Sequence, residues 1–389
     1  MTQARPSGSL RAQIDEGETL RLLDDLVRIP SPTAGEEKIA AFLEAYLRDA
    51  GFADVRRDVH HNVLLALRGK TPGRATMFLT HLDSGGAGSM ADPYAPRVEP
   101  GDAFGKKGTV VRGLGACAPK SAVAAMVGAA RAVARLGLPE RRRIYVAAVT
   151  KDMQANHQGP RELFESFDPD VDRVIAGEPS GNRIVIGARG VNQVRIRLTG
   201  RPTHWGRPTE GTNPLFALGD VLIDLEHMAL PSDPVLGSAT IAPFEVRSDA
   251  SPPRTPESVE VLVDRRTLPG ENTADVVQDL TALVRRAAER HPGVGYTVEL
   301  VRAMHSWRTD PDDLLVREIQ ATVTAGLGAP LETTYITFAS NAGYAIGERH
   351  LPGVAIGPGN IGDIGPNEHV ETAAVIEAAR IYASIMEAA

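Results

Sequence analysis

Apolar positions recur at helical spacing over residues 18–28, and Pro30 and Pro32 stop that run. Over 36–49, Ile39, Phe42, Leu43 and Leu47 share one face, which predicts a second amphipathic helix ending at Gly51. The pattern then changes. ATMFLTHLDS, RIYVAAVT, DRVIAGEPS and GVAIGPG are short and almost continuously apolar, as strands covered on both faces are. A helix of small residues over 121–136 separates the first two. Such alternation predicts an α/β domain on a mostly parallel sheet flanked by helices. His81 and Asp83 end one strand, the polar stretch 150–154 follows another, and Glu178 ends a third. Open α/β sheets bind ligands beyond the carboxyl ends of their strands, so these residues are expected at one rim.

Residues 191–302 have a different texture. VNQVRIRLTG alternates like a half-exposed strand, and the full order reads strand, helix, strand, strand, helix, strand. This predicts an inserted α+β unit of the ferredoxin-like kind over 191–302, between the two parts (1–190 and 303–389) of the first domain.

Composition narrows the partners. The chain has 389 residues and a formal net charge of -7, with no basic run interleaved with aromatics, which argues against nucleic acid. No apolar run approaches the ~20 residues of a membrane span. Cys117 is the only cysteine, so no intrachain disulfide can form and a reducing cytoplasm is the simplest expectation.

Several segments are specific in combination: THLDS, GLGACAPKS, IAGEPSG, GARGVNQVRIRLTGRPTHWGRPTEGTNPL, VDRR and IGPGNIGDIGPNEHV. Their order resembles the aminoacylase/carboxypeptidase family of co-catalytic zinc peptidases, which includes succinyl-diaminopimelate desuccinylase, acetylornithine deacetylase and allantoate amidohydrolase. The resemblance covers roughly residues 18–386. It implies a catalytic α/β domain with an inserted lid, dimerisation through the lid, and hydrolysis of amide bonds in small molecules.

The resemblance also implies a two-zinc site with a glutamate base, and here the sequence departs from it. The first ligand position matches His81, with Asp83 as the carboxylate that orients it, and a later acidic ligand matches Glu178. The bridging aspartate position holds Ala118, the base position Met153, the next ligand position Gln154 and the last histidine position Ile364. Alanine and isoleucine donate nothing to a metal, and a neutral amide oxygen is a poor zinc ligand. The expectation is therefore no dinuclear metal. A single zinc on His81 and Glu178, with a third ligand from elsewhere, stays open. Asp152, Cys117 and Asp363 each stand one residue before an altered position, and His157 and His369 are near in sequence. A one-residue shift on a strand turns a side chain to the other face, which argues against their taking over, but on a turn the outcome stays open.

His204 matches the family's oxyanion-stabilising histidine, and Lys120, Asn213, Asn341 and Glu368 match other positions. Together with Arg189, which could clamp a carboxylate, Lys120, Asn213 and Asn341 are candidates for substrate binding. The sequence supports a metal-independent enzyme with His81 and Asp83 as base, Glu178 as second acid/base and His204 as oxyanion donor. Its substrate would be an acylated amino acid or dipeptide-like metabolite, and its reaction C–N hydrolysis, cyclisation, elimination or acyl transfer. Two rivals remain: an amidohydrolase with a single or rebuilt zinc site, and a pseudoenzyme that binds a small ligand without converting it. Cys117 reads either as a nucleophile at a helix start or as a small packing residue.

Overall fold

The computed structural model describes residues 13–69, 75–137, 142–153 and 156–388. The chain divides into two compact units. One comprises Met1–Gly187, Arg308–Ile336 and Ser340–Ala389, the other Ala188–Trp307 with Thr337–Ala339. The expected insertion, 191–302, lies within the second.

In the first unit, helices α1 (Glu16–Arg28) and α2 (Glu37–Asp49) precede strands β1 (Val55–Arg57), β2 (Val63–Leu67) and β3 (Ala75–His81). Helix α3 (Lys120–Arg135), strand β4 (Arg143–Val149), helix α4 (Gln158–Phe167), and strands β5 (Val171–Ala176) and β6 (Ile184–Ala188) follow. The sheet runs β1–β2–β4–β3–β5, then the returning strand Gly353–Ala355, then β6. Strands β4, β3, β5 and 353–355 are parallel, while β2 and β6 join antiparallel on either side. The sheet is thus mixed around a parallel centre.

Both faces of that centre are covered, which explains the almost continuously apolar runs. Phe78, Ile144, Val146 and Ile175 pack with α1, α3 and the helix Thr372–Ala388. Met77, Leu79, Tyr145 and Val149 pack against Leu163 and Phe164 of α4 and against Tyr344. Each large apolar side chain so enclosed contributes about 1.5–3 kcal/mol over its exposed state. The parallel register places His81 beside Val149, and Leu79 beside Ala176. The segments leaving β3, β4 and β5 therefore emerge together at one rim.

The second unit contains β7 (Gly190–Thr199), α5 (Pro214–Glu226), β8 (Thr240–Ser248), β9 (Ser258–Thr267), α6 (Thr273–Glu289) and β10 (Gly295–Met304). Its sheet order is β8–β9–β7–β10, antiparallel throughout, the ferredoxin-like arrangement. Val194, Ile196 and Leu198 of β7 and Val259, Val261 and Val263 of β9 form one apolar face. It packs on Leu218 and Val221 of α5 and Leu280 and Val284 of α6. The alternation seen in the sequence is this half-covered sheet.

Candidate active site

His81 is the last residue of β3 and is buried. Its Nδ1 lies 3.0 Å from Asp83 Oδ1. Asp83 is fully buried and does more than orient the imidazole. Its Oδ1 also accepts from the Asp152 amide at 3.1 Å, and its Oδ2 accepts from the Met153 amide at 2.8 Å and Thr33 Oγ1 at 2.8 Å.

The segment after β4 is fixed amide by amide. Thr150 N donates to Asn62 Oδ1 at 2.9 Å, and Lys151 N to Glu36 Oε1 at 2.7 Å. The next two amides go to Asp83, as given above. Lys151 has a φ of 55°, in the left-handed region that costs a side-chain-bearing residue strain. Its Nζ is tied to Glu162 at 3.2 Å. This backbone turn ends the strand alternation. Asp152 is buried, whereas Met153 is 41% exposed.

Glu178 follows β5 and is buried. Its Oε1 accepts from the backbone N–H of Asn341 at 3.2 Å. With its amide nitrogen turned toward Asp152, the Asn341 side chain donates to both oxygens of that carboxylate, at 3.2 Å for Oδ2. One residue therefore spans two carboxyl groups.

The electrostatics follow from this crowding. Burial opposes charge on His81, but the hydrogen bond to Asp83 and the charges of Asp152, Asp83 and Glu178 outweigh it, raising its pKa to about 9. Burial pushes Glu178 up to about 8, reinforced by Asp152, while His81 and the Asn341 amide pull the other way. Asp83 is held below the usual carboxylate range, because His81 and the hydrogen bonds from Met153 and Thr33 overcome its burial. These shifts favour a proton on His81 and on Glu178 and an ionised Asp83 near neutral pH, with His81 and Glu178 titrating as a coupled pair.

A second group lies at the turn before α3. Glu368 is buried, and its Oε1 accepts from the amides of Cys117 (3.0 Å) and Ala118 (3.2 Å). Lys120 is fully buried, its Nζ donates to Ile29 O at 2.9 Å, and burial lowers its pKa to about 8. Its stem lies over Gly115, where a Cβ would sit 3.0 Å from Lys120 Cδ and where φ is +82°. Burial pushes the Cys117 thiol up, and its Sγ donates to Asn360 O at 3.2 Å. That thiol is an enclosed packing group. His157 is buried at the start of α4, with its ring 6.3 Å from Tyr344.

Among the described residues, no three His, Cys, Asp or Glu side chains are arranged to hold a metal ion. Ile364 is 42% exposed, and Gln154 lies outside the described residues.

Three candidates belong to the second unit. His204 is exposed, and its Nδ1 accepts from Gly206 N at 3.1 Å. Asn213 caps α5 by accepting from Leu215 N at 3.1 Å. Arg189 donates to the Leu236 carbonyl through Nε at 3.2 Å and through Nη2.

From the sequence, the role of Asp152 depends on whether residues 150–154 continue the strand alternation or form a turn, and the structure shows a turn at Lys151. The signal that could have recovered it was the polar run itself, which marks the end of β4. Thr33 went unnoticed. Its segment, PTAGEE, reads as a turn, and only the fold carries it to Asp83.

Comparison with known proteins agrees with this architecture. The model of peptidase family M20/M25/M40 matches residues 77–388. An uncharacterized Escherichia coli K12 protein, YgeY, is 25% identical over 394 residues, covering 96% of this chain and 95% of its own. Succinyl-diaminopimelate desuccinylase 2 of Ruegeria is 27% identical, covering 95% of this chain and 94% of its own. Among solved structures, a Staphylococcus aureus tripeptidase superposes with a TM-score of 0.78 at 18% identity, covering 96% of this chain and 98% of its own. Human carnosine dipeptidase 1 gives a TM-score of 0.76 at 16% identity, covering 99% of each chain. The family match spans most of the chain, from the strand that carries His81 to the final helix, and the chain belongs to peptidase family M20/M25/M40.

Proposed function

We propose that this chain is an enzyme acting on the amide bond of a small, carboxylate-bearing metabolite, by acid–base catalysis without a dinuclear metal centre. The substrate class, an acylated amino acid or dipeptide-like molecule, draws on relatives named as a desuccinylase and as di- and tripeptidases. The observation that carries the metal-free part is the donor set. The position expected to bridge two metals has only a methyl group, on Ala118, and its backbone N–H is bonded to Glu368. Ile364 brings no donor atom, and Met153 brings only a thioether. These residues do not fit a two-zinc centre, so no step is assigned to one.

Within this proposal His81 serves as the acid rather than as the base expected from the sequence, because its carboxylate neighbours favour the protonated ring at neutral pH. Its Nδ1 is held by Asp83, which leaves Nε2 to give a proton to a leaving nitrogen or to polarise a carbonyl. Glu178, protonated by its burial, is the second proton donor. His204, in the second unit, is assigned the oxyanion. Hydrolysis, cyclisation, elimination and acyl transfer all consist of such proton movements, so the proposal covers C–N chemistry as a class.

The test is metal analysis of protein purified without chelator, together with amine release from N-acetyl and N-succinyl amino acids and dipeptides. Little bound zinc and turnover indifferent to chelator are expected. Near-stoichiometric zinc with activity abolished by chelation would overturn the proposal in favour of a rebuilt zinc site. Ligand binding without turnover would favour a pseudoenzyme.

We also propose a homodimer through the second unit. Strand β8 is an edge of its sheet, with Phe244 53% and Val246 52% exposed, and α5 exposes Phe216 at 68% and Ile223 at 56%. An apolar edge strand of this kind invites pairing with another copy. Light scattering should give a dimer that Phe244→Glu splits, and a wild-type monomer would refute this. A cytoplasmic location is proposed from the single buried cysteine. Among the described residues, no helix is long and apolar enough to cross a membrane.

A further inference from the structure

We infer that Asp152 is the carboxylate that takes a proton from the attacking water, and that Asn341 positions it. The inference rests on the acid–base reading above, which names two proton donors and leaves the acceptor unassigned.

Three observations carry it. First, the turn at Lys151 (φ 55°) and the two amides anchored on Asp83 set the loop by one residue, so that Asp152 is enclosed while Met153 points outward. The residue facing inward is thus a carboxylate, although the position after it holds methionine. Second, Asp152 is only 5% exposed. A buried carboxylate is strongly disfavoured unless its surroundings compensate, and Asn341, with its amide nitrogen turned toward Asp152, donates to both carboxylate oxygens. Third, Asn341 also bonds Glu178 through its backbone at 3.2 Å, so one residue sets the spacing between proton acceptor and proton donor. Asn341 is itself fully buried, which limits the rotamers open to it.

For hydrolysis the step balances without a co-reactant other than water. The water oxygen bonds to the amide carbonyl carbon as one of its protons passes to Asp152. The tetrahedral adduct collapses, and the C–N bond breaks with its electron pair on nitrogen, which takes a proton from His81. The proton on Asp152 then restores His81. The sum is amide plus water giving carboxylic acid plus amine.

The experiment uses the full chain and amine release from N-acetyl amino acids, N-succinyl amino acids and dipeptides, with folding of every variant followed by circular dichroism. Asp152→Asn is expected to lower kcat by about 100-fold or more, with KM changed by less than about threefold. Asp152→Glu should recover part of that loss. Asn341→Ala should lower kcat by about tenfold at unchanged KM, since the base remains but is no longer held. If Asp152→Asn keeps kcat within about threefold of wild type, or changes only KM, the inference is wrong and the acid–base reading survives. If Asp152→Asn does not fold, Asp152→Glu decides by the same kcat and KM criteria. If wild type converts no member of the panel, the acid–base reading falls, and this inference with it.

Discussion

The pocket makes an unusual demand on the pH dependence of stability. His81 has a folded-state pKa of about 9 against 6.5 for the free side chain, so its contribution is complete below pH 6.5 and is lost as pH rises through 9. Glu178 has a folded-state pKa of about 8 against 4.5. The unfolded chain releases that proton first, so folding is increasingly penalised from pH 4.5 up to 8. Between pH 6.5 and 8 the two effects share a sign, and the native state binds more protons than the unfolded chain. Each retained proton costs about 1.4 kcal/mol per pH unit. Because the two groups are coupled, they act as somewhere between one and two protons. Stability should therefore fall by roughly 2–4 kcal/mol between pH 6.5 and 8. Lys120, with its pKa lowered to about 8, acts in the opposite sense only above that window.

The assay is urea unfolding followed by circular dichroism at several pH values from 6.5 to 8, in wild type and in Glu178→Gln. The variant should lose about one proton's share of the slope and gain stability at pH 8. A metal ion on His81 and Glu178 would require both groups deprotonated, so with metal bound the slope would reverse. Stability that is flat or rising over this window, in protein free of metal, would refute the electrostatic reasoning.

The remaining predictions concern individual residues. Lys120→Met removes a buried ammonium whose pKa is depressed by burial, and at pH 7 it should raise the melting temperature by a few degrees, on the order of 1–3 kcal/mol. A clear loss of stability would mean that the Ile29 hydrogen bond matters more than the charge. At Lys151, both Gly and Ala lose the Glu162 contact, but only Gly relieves the positive φ. Lys151→Gly should therefore be about 1 kcal/mol more stable than Lys151→Ala in denaturant titrations. Asn213→Ala should cost about 1 kcal/mol by removing the cap of α5. Asn213→Asp should restore most of it, and a substituted protein as stable as wild type would exclude the capping role.

The almost continuously apolar runs of β3, β4 and the second half of β5 located the parallel centre of the sheet, because strands buried on both faces need few polar positions. Alternation in VNQVRIRLTG located a half-covered strand for the same reason, and the order of elements identified the inserted unit. The antiparallel margins were not legible, since a five-residue apolar run such as β2 reads alike in either direction. His81, Asp83 and Glu178 were legible as a group because parallel strands deliver their carboxyl ends to one rim.

By itself, then, the sequence determined which elements form, which positions face a core, and which donor atoms the pocket can and cannot offer. Those properties belong to single residues and their spacing, and Ala118 and Ile364 lack ligand atoms in any conformation. Only the tertiary structure decided how the remaining polar groups face one another. Asp152 turns inward because Glu36 and Asp83, distant in sequence, accept the amides of its loop, and Asn341 reaches both Asp152 and Glu178 from a separate segment. The proton affinities of His81 and Glu178 are likewise set by burial and by neighbours brought together in folding. The acid–base character of the pocket is a property of that assembly, because charge–charge energies depend on distance and desolvation, and a linear sequence specifies neither.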